Sequence, residues 1–118
     1  MHILVFRLDN EDMILASLRK AHPHIGFRKC RAGENIEEEG RNLILIDTVP
    51  GLKNVMLIDN LYSRWLDEAA KSSKMISTLR ILKGLGSIDS ARVIGVPEDY
   101  DPREAARGIS AAIKSLTS

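Results

Sequence analysis

Residues 41–63, RNLILIDTVPGLKNVMLIDNLYS, constrain the fold more than any other part of the chain. Two apolar runs, 43–46 and 55–58, are each followed at once by an aspartate, Asp47 and Asp59. Short continuous runs of Leu, Ile and Val bounded by turn residues read as strands buried on both faces. Pro50 and Gly51 supply the turn between them. So short a connection cannot hold a crossover helix, so if these strands are neighbours they run antiparallel.

The remaining pattern alternates strand and helix. Residues 2–8, HILVFRL, and 91–96 read as further buried strands. Residues 25–30 are poorer in apolar side chains and belong nearer a sheet edge. Ile14, Leu15 and Leu18 give one helix its inner face, with Asn10 as its cap, Glu11 and Asp12 in its first turn, and Pro23 beyond its end. Met75, Ile76, Leu79 and Leu82 recur at helical spacing, and Gly84 or Gly86 stops that helix. The last helix has the clearest start. Asp101 is the cap, Pro102 the first helical residue, and Glu104 stands at the capping-box position. Ala105, Ile109, Ile113 and Leu116 lie on its apolar face. Residues 60–72 fit either a helical face or a packed loop.

Apolar strands alternating with amphipathic helices predict an α/β fold. The expected architecture is a three-layer α/β/α sandwich with about five strands, mostly parallel with one antiparallel, in a single domain over 1–118. A length of 118 residues suffices for one core without covalent staples. A formal net charge of +1, with scattered cations and an acidic run at 37–39, argues against a nucleic-acid partner. No apolar run approaches the ~18 residues of a membrane span, and no leader pattern is present, so a cytoplasmic protein without a membrane partner is expected. The lone Cys30 excludes an internal disulfide and reads as a small buried hydrophobe.

The two aspartates are then expected to differ. In an open α/β sheet, ligands bind outside the carboxyl ends of the parallel strands. Asp47 ends a central strand there, and Asp9, Glu11 and Asp12 follow the end of the first strand. Acids from two loops meeting on one rim need an offsetting cation, either a hard divalent metal or a basic side chain. The plainer role for Asp47 is to cap the turn that follows, and for Glu11 and Asp12 to favour a helix N-terminus. Asp59, on an antiparallel strand, would lie at the opposite end and begin a turn with Asn60. His22 and His24 flank Pro23 at the far end of the sheet, and His2 starts the first strand there. Tyr62 and Trp65 are expected to pack under the ambiguous segment, with partner contact as the alternative. No phosphate-binding glycine loop, nucleophile elbow or HExxH motif is present. A response-regulator receiver fits the size, but it needs a helix between each pair of strands, and residues 48–54 leave no room for one.

In order and spacing, the acid-bearing loop after the first strand, LILID, VMLID, the LxxLG helix end and VIGVP before the last helix resemble the nickel–iron hydrogenase maturation proteases, especially short archaeal ones. The resemblance implies a five-stranded twisted sheet. It implies an endopeptidase that recognises nickel in the immature hydrogenase large subunit and removes a C-terminal tail from it. The nickel would come with the substrate, with no tightly bound cofactor. The metal-contacting acids of that family fall on Asp12, with Glu11 beside it, and on Asp47. The family's histidine has no counterpart, and Lys71 aligns there. Arg7 and Leu8 stand where the family's first loop has glycines, and only Asn10 remains of its glycine-asparagine pair. No catalytic residue is assigned. Two functions follow: a divergent maturation endopeptidase acting on a hydrogenase large subunit, or a non-catalytic binding or scaffold protein on the same fold. If Lys71 or Arg7 fills the space beside Asp47, the second is favoured.

Overall fold

The computed structural model describes residues 1–31 and 33–117. Five strands form one sheet: β1 (His2–Val5), β2 (Gly26–Lys29), β3 (Asn42–Thr48), β4 (Met56–Ile58) and β5 (Ser90–Val96). Among the described residues four helices accompany them: α1 (Glu11–Ala21), α2 (Asp67–Ser72), α3 (Lys74–Gly84) and α4 (Pro102–Thr117). Short 3₁₀ turns lie at Ile36–Glu39 and Arg64–Leu66.

The strand order is β2-β1-β3-β5-β4, with β4 alone antiparallel. The α/β class, the mostly parallel sheet and the poorer β2 at an edge are as the sequence predicts. The partner of β4 is not β3. β5 inserts between them, pairing with β3 from Asn42↔Ser90 to Thr48↔Val96 and with β4 from Met56↔Gly95 to Ile58↔Val93. The short 48–54 connection therefore reaches over β5 rather than closing a hairpin. Gly95 makes room for that reach. A Cβ there would stand 2.7 Å from Leu52 Cδ1 and 3.2 Å from Val49 Cγ2.

Successive strand side chains face opposite sides of the sheet, so each face has its own core. On one face Leu4, Leu43, Leu45, Ile58 and Val93 pack with Leu61, Leu66, Ala69, Met75, Ile76 and Leu79 of the segment that ends in α3. On the other, Ile3, Val5, Ile44, Ile46, Ile94 and Val96 pack with Ile14, Leu15 and Leu18 of α1 and Ile109 and Ile113 of α4. The ambiguous stretch 60–72 is mixed. Leu61 and Leu66 are buried, but Tyr62 and Trp65 are 53% and 41% exposed, against the expected core packing. Both rings are amphipathic, and the cations beside them hold them at the surface.

Helix starts divide in the same way. Asp101 Oδ1 accepts from the Arg103 and Glu104 N–H groups at 2.8 and 3.2 Å, so the predicted cap forms. Glu104 does not close the box; it pairs with Arg107 at 3.1 Å, one turn on. Asn10 precedes α1 in a left-handed conformation, φ 57°, and its side chain caps nothing. Among the described residues no helix is long and apolar enough to cross a membrane.

Candidate functional site

β1 and β3 are parallel neighbours, so their carboxyl ends share a rim. The loop leaving β1 is tied to β3 there. Phe6 N–H donates to the Ile46 carbonyl at 2.9 Å, and the Arg7 carbonyl accepts from Thr48 N–H at 2.9 Å and from Thr48 Oγ1 at 3.0 Å. This clamp sets Arg7 beside Asp47. Arg7 Nε donates to Asp47 Oδ1 at 3.0 Å, and its Nη2 donates to the Thr48 carbonyl at 3.1 Å. The guanidinium also lies over the Phe6 ring, 5.6 Å from its centroid.

Asp47 is fully buried, while the Arg7 side chain is 36% exposed. Burial raises the Asp47 carboxyl from its ordinary value to about 6, although the Arg7 charge and hydrogen bonds pull it down. Its second oxygen, Oδ2, is buried without a hydrogen-bond partner. Ionising such a group costs several kcal/mol before pairing. The four apolar residues before it, each worth about 1.5–3 kcal/mol when fully buried, let β3 carry that cost. Cys30, buried at the end of β2, senses the same interior. Burial pushes its thiol up to about 11, with Glu34 and Asp47 adding to the shift.

The predicted metal acids are not brought together. Asp47 has the parity of Leu43 and Leu45 and faces the α3 side, whereas α1 covers the other face. Glu11 and Asp12 bind Lys29 Nζ at 3.1 and 2.8 Å. That pairing holds the Asp12 carboxyl below its usual range, although its side chain is 91% exposed. The open depression over the start of α1 is lined by residues 8–13, including Asp9, Glu11 and Asp12, but not by Asp47. The rim is shared; the face is not. Lys71 does not reach Asp47. It is exposed and pairs with Glu68 at 3.2 Å. His22 shares a 2.8 Å hydrogen bond with Ser110, and His24 is exposed. Among the described residues no group of three or more His, Cys, Asp or Glu side chains can hold a metal ion. Each acid assigned by the resemblance already has a cationic partner, so this donor set does not fit a nickel site.

Lys29 was not signalled as a partner for Glu11 and Asp12. It becomes one because β2 runs parallel beside β1 and ends at the same rim, a pairing that is non-local in sequence. Scans against protein-family models, curated proteins and solved structures find no match to this chain.

Proposed function

We propose that this chain is a non-catalytic binding protein built on a scaffold like that of the hydrogenase maturation proteases. One observation carries the reading: the Arg7 guanidinium stands against Asp47, where that resemblance calls for a metal. A cation supplied by the chain itself offsets the charge of the buried carboxylate through Oδ1 and so competes with an entering ion. The Lys29 pairing of Glu11 and Asp12 supports it further.

The endopeptidase reading retains one specific support, the partnerless Oδ2 of Asp47, a buried donor atom held for something. The two readings separate in a titration of nickel into the full chain by calorimetry, beside Asp47→Ala and Arg7→Ala. The binding-protein reading expects no heat from the wild type. Incubation with an immature hydrogenase large subunit leaves its C-terminal tail in place. Saturable nickel binding lost in Asp47→Ala, or tail removal, overturns the reading in favour of the peptidase.

A further inference from the structure

The second edge of the sheet has different chemistry. β4 is the outermost strand there, three residues long, with only its inner edge paired, to β5. Its outer backbone groups meet no strand among the described residues. A sheet edge can accept an incoming extended segment, and three-residue β4 offers it only a short ladder, so side-chain contacts beside it must carry most of the affinity.

Beside β4 is a cleft of about 290 Å³ lined by Gly51, Leu52, Lys53, Asn54, Met56 and Trp65. That volume is at the low end of ligand sites and suits one inserted side chain. Met56 and Trp65 are 36% and 41% exposed. The turn that carries Trp65 is capped: the Trp65 backbone N–H donates to Ser63 Oγ at 3.3 Å. Tyr62 is anchored in the same segment, its hydroxyl donating to the Arg80 carbonyl at 3.1 Å. An exposed aromatic pair is the residue chemistry of a contact anchor.

Cations flank both rings. Arg64 lies 5.8 Å from the centre of Trp65, and Arg80 and Lys83 lie 5.8 and 5.5 Å from the centre of Tyr62. Lys53 stands on the rim of the cleft. Of the four cations only Arg80 has a carboxylate, Asp67 at 2.9 Å; Lys53, Arg64 and Lys83 form no ion pair among the described residues. Asp59, next to β4 in the chain, is a carboxylate with no ion pair among the described residues. A second copy docked through the same face would set Lys53, Arg64 and Lys83 against the same three cations, an unfavourable contact. An acidic segment reverses that balance.

We propose that the β4 edge and the Met56–Trp65 cleft form a docking site for an extended acidic peptide of a partner protein. The peptide adds as a strand beside β4, seats one apolar side chain between Met56 and Trp65, and sets flanking carboxylates against Lys53, Arg64 and Lys83. This deepens, and rests on, the binding-protein reading.

The test starts from a phage-displayed random-peptide library panned on the full chain. The expected winners carry an aromatic or aliphatic residue flanked by Asp or Glu. A fluorescein-labelled copy of the best winner, followed by anisotropy, binds saturably and more weakly as salt rises. Trp65→Ala and Lys53→Glu each weaken it by about ten-fold or more; exposed Lys53 leaves the thermal midpoint unchanged, and Trp65→Ala, which also removes partly buried area, is assayed well below its own midpoint. Binding slows amide exchange at residues 56–58. Four results overturn the proposal: no enrichment, enrichment of basic peptides, binding that neither variant moves, or a dimer in sedimentation that Trp65→Ala dissolves. Nickel binding at Asp47 is read separately; it would sink the previous reading and leave these peptide measurements to stand or fall alone.

Discussion

Asp47 and Arg7 hold the residue-scale chemistry of this chain. The folded carboxyl titrates near 6, and an ordinary one near 3.8. The folded state therefore takes up the proton first as pH falls. Relative to Asp47→Asn, the wild type gains stability from pH 7 down to about 4, by at most about 3 kcal/mol. Urea denaturation of both proteins across that range checks it; a difference independent of pH contradicts it. Arg7→Ala leaves the carboxylate buried alone. A fully buried pair would lose about 3–5 kcal/mol on removal of one partner, but Arg7 is 36% exposed and solvent screens its side of the pair, so about 1–3 kcal/mol at pH 7 is expected. That loss shrinks in acid, once Asp47 is protonated. The sequence already marked Asp47 as unusual, a carboxylate closing an apolar run. Its partner was harder to read, because Arg7 and Lys71 both offered a cation and only the β1–β3 clamp decides between them.

Among the elements, α4 packs closest where it has no side chain. A Cβ on Gly108 would stand 2.6 Å from both Cβ and Cγ2 of Val55, a stiff branched residue just before β4. Gly108→Ala gains up to about 1 kcal/mol of helix propensity and loses about 1–3 kcal/mol to overpacking. Net destabilisation in thermal melts is expected, and Val55→Ala does not restore it in the double variant, because alanine keeps the Cβ that stands 2.6 Å away. At the helix start, Asp101→Ala removes a formed cap and costs about 1 kcal/mol. That cap was legible because its signals are local: Asp, Pro and a following apolar period. Residues 60–72 were not. A 3₁₀ turn runs into α2, and α3 restarts at an extended Ser73, φ −128° and ψ 123°, so no single period accumulates.

At the scale of the molecule, the sandwich followed from apolar runs alternating with amphipathic helices, but the strand order did not. Pairing β4 with β5 rather than β3 is a long-range choice made by Gly95, Leu52 and Val49 together. The two cores share the central strands β3 and β5, so neither can melt while the other stays whole. Urea transitions followed by Trp65 fluorescence and by far-ultraviolet dichroism should coincide; separated midpoints would mean that the faces come apart singly. The one thiol adds a different use of the same architecture. Cys30 sits at the edge away from β4, buried and with its proton held to about 11. An alkylating reagent can meet it as a thiolate only when that border of the sheet breathes, so the rate of its modification is an internal clock for local opening, with no label to engineer.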